Sequence, residues 1–234
     1  MIAAPLLVGV LAVGPAWIHL PLAAFWFVGY FAFFATSLWL KARRRPNWWP
    51  PVRAYGLASI ALAVVVVILR PGLVAWAPWF VLPLGVGLWA AAARRDRDLS
   101  AGVATVAGAS LMTVVAYAAA MPGRIEPVAW WWPQIPERPL LLALVQFLYF
   151  AGTVFYVKSV IRERGNQRFL MASLAFHAVA AAVAWWVAWP LGLVFVALLV
   201  RAALIPRLGW TPKQVGLLEI PATVLVSVLS LVLL

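Results

Sequence analysis

The chain is a succession of long apolar runs separated by short polar or proline-rich breaks. A bilayer core about 30 Å thick requires roughly 20 apolar residues per α-helix, and most of the runs reach that length. We therefore predict an all-α fold, a polytopic transmembrane bundle in which residues 1–234 form a single integral membrane domain. Its nine predicted helices, with ends placed to within about 2–4 residues, are 2–14, 21–41, 53–70, 73–93, 99–120, 139–162, 167–188, 190–206 and 214–234.

Prolines mark many of the predicted joints, since the residue before a proline is disfavoured in a helix. The first segment is unusual, because Ile2 to Gly14 would extend only about 20 Å and would not cross the bilayer. An eight-helix count that omits this segment is the alternative to the nine-helix count, and it leaves the orientation of the other helices unchanged.

Composition supports the membrane assignment and limits the chemistry. Two-thirds of the residues are hydrophobic and a tenth are charged, whereas about 25% of the residues in a soluble domain are charged. The 18 basic and 6 acidic residues are expected to set orientation and to meet membrane lipids, including anionic lipid or a polyprenyl phosphate, rather than nucleic acid. The absence of cysteine and the two separated histidines predict neither a metal site nor a cofactor.

The distribution of Lys and Arg predicts the orientation. Fifteen of the eighteen basic residues fall in the segments 40–53, 94–100, 158–168 and 201–213, which alternate helices place on one side of the membrane. The other side has only Arg70, Arg124 and Arg138. By the positive-inside rule the N-terminus of the nine-helix fold is cytoplasmic and its C-terminus lies outside.

Two segments resemble each other at the ends of helices 2 and 6. Thr36 to Lys41 reads TSLWLK and Thr153 to Lys158 reads TVFYVK, and an arginine-rich turn with one asparagine follows each. Half-and-half repeats are common in membrane folds, although short matches also arise by chance in a biased composition. A two-halved repeat would make the two turns structural equivalents on the cytoplasmic face.

Helix 6 carries the clearest polar stripe. Polar groups in hydrocarbon face the bundle interior or a wet cavity. A helical wheel places six polar side chains within about 100° of arc: Gln146, Tyr149, Thr153, Tyr156, Glu163 and Arg164. We interpret the last five, with Asn166 in the following turn, as candidate ligand-binding residues. Lys158 and Arg162 fall on the opposite side, and with Lys41 they are expected to anchor the helices at lipid headgroups. The alternative for Lys158 and Arg162 is anion capture.

Helix 9 has a second stripe, formed by Glu219, Thr223, Ser227 and Ser230. Glu219 lies about six residues inside helix 9, and Arg201 lies about five residues inside the adjacent antiparallel helix 8. Because an unpaired charge at that depth costs at least ~2.5 kcal/mol, we predict that Arg201 and Glu219 pair. The pair would serve either as a structural clamp or as part of a ligand-binding site.

Three other titratable groups have simpler interpretations. His177 shares a face of helix 7 with Ser173 and is expected to be a hydrogen-bonded core residue, with proton handling as the alternative. Asp96 and Asp98 alternate with Arg94, Arg95 and Arg97, so mutual neutralisation in a solvated loop is expected. No nucleophile elbow, phosphate-binding glycine loop or zinc motif is present, so no catalytic residue is assigned.

Three motifs carry a family resemblance over nearly the whole chain: VKSVIRERGN at the end of helix 6, WIHLPLAAFWFVGYFAFF near the start, and PKQVGLLEIP before the last helix. With these motifs the chain resembles the YwiC-like family of bacterial integral membrane proteins. The resemblance implies a multi-pass protein of the bacterial cytoplasmic (inner) membrane without a settled biochemical function. Such proteins typically open with a His-Gly-Ala-Trp-Ala-Met segment, and Met1 matches its methionine, so residues upstream of Met1 are expected.

The predicted architecture is also similar to that of UbiA-type prenyltransferases. Those enzymes hold Mg²⁺ and a diphosphate through Asp-rich motifs in two loops, whereas the corresponding stretches here, LKARRRPN and VKSVIRERGN, lack paired aspartates. The leading hypothesis is therefore a non-enzymatic protein that binds an anionic amphiphile at a cytoplasm-facing pocket. The alternatives are an unconventional UbiA-like transferase, a small-anion transporter with broken helices, and a membrane assembly partner without a cavity.

Overall fold

A computed structural model of the chain describes residues 1–121, 127–129, 132–133 and 136–234. Arg124 lies outside the described residues. The described residues form nine α-helices: α1 Ala3–Val13, α2 His19–Lys41, α3 Trp49–Leu69, α4 Ala77–Ala92, α5 Leu99–Ala119, α6 Glu137–Ile161, α7 Gln167–Val187, α8 Trp189–Leu204 and α9 Pro212–Leu233. Between α5 and α6, the backbone of β1 (Pro127–Ala129) pairs antiparallel with that of β2 (Trp132–Pro133).

Eight of the described helices are long and apolar enough to cross a membrane. The prediction of a polytopic helical membrane bundle is therefore confirmed. Helix α1 has 11 residues and extends only about 16 Å at 1.5 Å per residue, shorter than a bilayer core. The orientation of the chain stays a prediction.

Two helix starts differ from the predicted ones by four residues, the limit of the expected error, at places where prolines lie. Helix α3 was expected to start at 53, after Pro50 and Pro51, but it starts at Trp49 with both prolines in its first turn. The first backbone N–H groups of a helix have no partner within it, so a proline there loses no hydrogen bond. Helix α4 starts later than predicted, at Ala77, because Pro71–Trp76 forms a 3₁₀ helix.

The chain divides into two compact units, residues 2–140 and residues 141–234. In the first unit α5 is the central helix, because more than half of its span is buried and both α1 and α4 pack against it. Gly9 of α1 allows the closest approach: a Cβ atom there would lie 2.2 Å from the Thr113 carbonyl oxygen. The Thr113 hydroxyl donates a hydrogen bond to the Pro5 carbonyl, which ties the same two helices together.

The second unit contains most of α6 together with α7, α8 and α9. Helix α8 packs against both α7 and α9. Side chains cap two of the helix starts: Asn166 accepts from the backbone N–H of Phe169 at the start of α7, and Thr211 forms a capping box with Gln214 at the start of α9. These caps define the α6–α7 and α8–α9 turns, which carry much of the unit's positive charge.

Candidate functional site

Glu219 is the centre of a buried polar cluster in the second unit. Its carboxylate forms an ion pair with the guanidinium of Arg201. It also accepts a hydrogen bond from the Tyr149 hydroxyl at 2.9 Å and one from the Thr153 hydroxyl at 2.8 Å. This ion pair confirms the predicted pairing of the two residues. Their side chains are only 9% and 15% exposed, so the pair is largely buried. We call these four residues together with Tyr156 the Glu219 cluster.

Helical spacing explains how the cluster forms. Tyr149, Thr153 and Tyr156 recur at intervals of four and three residues, so they lie on one face of α6. The polar stripe of α9 meets that face: Tyr149 Oη lies 2.9 Å from Thr223 Oγ1, and one turn away Gln146 donates to Ser227 at 3.5 Å. Polar side chains buried in an apolar bundle are thus paired mainly with one another, as hydrogen bonding requires.

Tyr156 completes the cluster in a different way. Its ring lies against the Arg201 guanidinium, with Cζ 4.2 Å from the ring centroid, a cation–π geometry. Tyr156 is fully buried, and its hydroxyl has no hydrogen-bond partner among the described residues. The Nε atom of Arg201 is likewise buried and without a partner there.

His177 lies in the core of the second unit, as its pattern predicted. Its Nδ1 atom lies 2.7 Å from the Ser173 carbonyl oxygen, so Nδ1 carries the proton and donates to that oxygen. The partner is the backbone carbonyl of Ser173 and not its hydroxyl. Gly152 of α6 makes room for the ring, since a Cβ atom at that position would lie 3.2 Å from Nε2.

A second polar site lies at the α6–α7 and α8–α9 turns. It is a cavity of about 360 Å³ lined by Ser159, Glu163, Arg164, Gly165, Asn166, Gln167, Leu170, Pro206, Arg207 and Gly209. We call it the turn pocket. Glu163 accepts from the Asn166 side chain at 2.8 Å, and Arg164 donates to the Trp210 carbonyl at 3.4 Å.

The predicted stripe on helix 6 therefore separates into two places. Tyr149, Thr153 and Tyr156 belong to the Glu219 cluster, whereas Glu163 and Arg164 line the turn pocket. The helical wheel could not predict the positions of Glu163 and Arg164, because α6 ends at Ile161 and helical periodicity does not apply beyond it. The sequence did not identify Arg207 as a pocket residue. The one indication in the sequence was that the α8–α9 turn, which contains Arg207, is predicted to lie on the same side of the membrane as Arg164.

The expected lipid anchors have protein contacts. Lys158 lies over the Phe169 ring, with Nζ 5.6 Å from the centroid. Arg162 also interacts with another group of the protein. In the first unit Lys41 forms an ion pair with Asp96 at 2.7 Å. Asp98 pairs with Arg95, as expected for this loop. For Asp96 the sequence did not predict Lys41 as the partner, but the charge of Arg97 also lowers the pKa of Asp96. Interaction of the three cations with lipid headgroups stays a prediction.

The Lys41–Asp96 pair makes a pH-dependent contribution to stability. The hydrogen bond from Lys41 holds the pKa of Asp96 below its ordinary value of 3.8. A lowered carboxyl pKa in the folded state stabilises the fold above the unfolded-state pKa, and this stabilisation is lost as the pH falls through the folded-state pKa.

We expect Asp96→Asn to lower the free energy of unfolding by less than about 1 kcal/mol at pH 7, because each side chain is about one-third exposed and solvent screens the pair. Unfolding of wild type and variant should be compared between pH 7 and the lowest pH at which both fold. The difference should shrink below about pH 4. A difference that grows on acidification would contradict this assignment.

The fold and these two sites define a multi-pass membrane protein with a buried charge pair and a separate basic pocket. A family model described as YwiC-like protein matches residues 1–117, half of the chain, and the chain belongs to the YwiC-like family. It is 28% identical over 223 residues to the uncharacterized protein YwiC of Bacillus subtilis, which covers 94% of this chain and 88% of that protein. It is also 40% identical over 99 residues to an uncharacterized protein of Haemophilus influenzae, or 41% of each chain.

No solved structure matches this chain. The expected similarity to UbiA-type prenyltransferases stays a prediction, as does the two-halved repeat. The two threonines of that repeat have different partners: Thr36 donates to the Ala32 carbonyl of its own helix, whereas Thr153 donates across to Glu219.

Proposed function

We propose that the turn pocket binds the anionic headgroup of an amphiphile, either a phospholipid or an isoprenoid phosphate, on the cytoplasmic side of the bacterial inner membrane. The observation that carries the proposal is that Arg164 and Arg207, from two different turns, line one cavity. Guanidinium groups pair well with phosphate because their N–H donors form a planar fork.

The surrounding backbone adds to this positive field. Helix α7 begins at Gln167, which lines the turn pocket. Asn166 already caps the Phe169 N–H, so the helix dipole and the uncapped N–H groups of the first turn supply the attraction for an anion. Glu163 is the one acidic side chain that lines the turn pocket, and Asn166 donates to it. Two arginines and a helix N-terminus therefore outweigh one carboxylate.

The size of the turn pocket limits what it holds. Its volume of about 360 Å³ is at the low end of the range for small-molecule sites, about 300–1,000 Å³. That is room for a headgroup, with the hydrocarbon chains left in the bilayer. A cavity of this kind supports a binding protein over an assembly partner without any cavity. Among the described helices, α4 continues through Pro83 and α9 through Pro221, which does not favour a transporter with broken helices.

We expect the double substitution Arg164→Gln/Arg207→Gln to weaken binding of the anionic amphiphile about tenfold or more. One charge-assisted hydrogen bond contributes about 1.5–3 kcal/mol, and about 1.4 kcal/mol is a factor of ten. Native mass spectrometry of the protein in micelles would measure the retention of phosphatidylglycerol and of a polyprenyl monophosphate in separate titrations. Phosphatidylcholine serves as the reference lipid.

The matched control is Arg45→Gln/Arg53→Gln, which removes the same charge from the 40–53 segment, and neither residue lines the turn pocket. The control should retain wild-type binding. Preferential loss with one of the two ligands identifies the headgroup class. Equal weakening by both double variants would reduce the effect to net charge and contradict the proposal.

A further inference from the structure

The Glu219 cluster contains two buried donors without an acceptor. The Nε–H of Arg201 and the hydroxyl of Tyr156 have no hydrogen-bond partner among the described residues. Tyr156 is fully buried, and the Arg201 side chain is 9% exposed. An unpaired donor is costly in an apolar environment, and buried polar groups in folded proteins are nearly always satisfied.

We propose that the Glu219 cluster is a second binding site, which holds a neutral oxygen acceptor against Arg201 and Tyr156. An arginine Nε–H can only donate, and a phenol hydroxyl donates most readily, so the group that satisfies them must accept hydrogen bonds. The contact between the guanidinium and the Tyr156 ring, at 4.2 Å, brings the two donors into one neighbourhood. Each donor requires one oxygen acceptor within hydrogen-bond distance.

The charge balance of the cluster decides against an anion. The positive charge of Arg201 is already matched by Glu219, and Tyr149 and Thr153 complete the hydrogen bonds of that carboxylate. A second negative charge would be buried at membrane depth without a counter-charge, which is strongly unfavourable. The ligand class is therefore a neutral oxygen: water, or an ester or hydroxyl oxygen of a lipid.

This site is separate from the turn pocket. On the side of the cluster formed by Tyr156, four buried apolar residues pack with its ring: Val160, Ala202, Ile205 and Val215. Along the chain, Arg201 and Ala202 lie in α8, and Ile205–Arg207 form the 3₁₀ turn that follows it, with Arg207 lining the pocket. None of the five residues of the Glu219 cluster lines the turn pocket, so the second site stands independently of the proposed function.

Tyr156→Phe tests this proposal, because it removes the hydroxyl and keeps the ring against Arg201. If the hydroxyl donates to a bound oxygen, the variant loses one hydrogen bond, and its melting temperature falls by about 2–4 °C. If the hydroxyl has no acceptor, its removal relieves a buried unpaired group, and the melting temperature stays the same or rises. Tyr149→Phe, which loses the bond to Glu219, provides the reference for the loss of a phenol hydrogen bond.

The measurement should be made in delipidated detergent and in phospholipid nanodiscs. A lower melting temperature in both media supports the site with water as the ligand. A lower value in nanodiscs alone supports the site with a lipid oxygen as the ligand. A melting temperature equal to or above that of wild type in both media overturns the proposal.

Discussion

Glu219→Gln is expected to lower the free energy of unfolding by about 3 kcal/mol, because it leaves the buried guanidinium of Arg201 without a counter-charge. Glutamine nearly preserves the shape of the side chain and retains an oxygen that can accept from Tyr149 and Thr153. The loss therefore reports the missing charge more than missing packing. Thermal or denaturant unfolding in detergent would measure it, with the exposed Glu137→Gln, expected to change stability by less than about 0.5 kcal/mol, as the control.

The same pair allows a double-mutant cycle. Arg201→Gln leaves the Glu219 side chain with two hydroxyl donors, from Tyr149 and Thr153, so a smaller loss is expected. The double variant Arg201→Gln/Glu219→Gln removes both charges and should be more stable than the sum of the single losses predicts, by about 1–3 kcal/mol. Strictly additive losses would show that the two residues are not coupled and would remove the ion pair from the centre of the cluster.

Gly9→Ala is expected to have the second large effect, a loss of about 1–3 kcal/mol from overpacking between α1 and α5. The added Cβ atom would lie 2.2 Å from the Thr113 carbonyl oxygen and 2.9 Å from the Ala116 Cβ atom. Both neighbours are fully buried in α5 and neither is the far end of a flexible side chain, so the two helices must move apart. The hydrogen bond from Thr113 to Pro5 would lengthen with them.

Gly56→Ala is the matched control for this change. Gly56 lies in α3 with no atom within 4 Å of a Cβ placed there, and alanine favours a helix over glycine by about 1 kcal/mol. The control should therefore be as stable as wild type or more stable. The unfolding midpoint of Gly9→Ala should lie below that of wild type, and the midpoint of Gly56→Ala should be equal to that of wild type or above it. Equal midpoints would mean that α1 does not pack closely on α5.

The long apolar runs and the breaks between them made most of the fold predictable. All nine helices were expected, with ends that differ from the structure by up to four residues. The pairing of Arg201 with Glu219 also followed from sequence, because depth along two antiparallel helices can be counted. The prolines of α3 were misinterpreted, because a proline marks the end of one helix and the first turn of another equally well.

Contacts that depend on turns or on distant residues could not be predicted. Lys41 and Asp96 are 55 residues apart, and no local pattern connects them. Glu163 and Arg164 lie beyond the end of α6, where the backbone leaves the helix and Gly165 adopts a φ of +83°. Arg207 lines the turn pocket because the α8–α9 turn lies beside the α6–α7 turn, a proximity that the sequence does not show. Gly9 could not be distinguished in the sequence from the glycines that have open space around them.

The two halves of the chain differ in what is known of their relatives. The YwiC-like family model matches residues 1–117, whereas the Glu219 cluster and the turn pocket lie in residues 141–234. The Bacillus relative covers 94% of the chain, so its similarity extends over this second unit as well. Variants of residues 141–234 would therefore test whether the proposed headgroup binding also occurs in the Bacillus relative.

The most direct test of the proposed headgroup site uses the absence of cysteine from the sequence. A single Gln167→Cys would place one thiol in the turn pocket, and Ser100→Cys, on the side expected to be cytoplasmic, would serve as the control outside it. We expect a membrane-impermeant maleimide to label both from the cytoplasmic side, and phosphatidylglycerol or a polyprenyl monophosphate to slow only the Gln167→Cys reaction. Labelling of Gln167→Cys from the outer side, or at a rate that neither ligand changes, would contradict a cytoplasmic site for an anionic amphiphile.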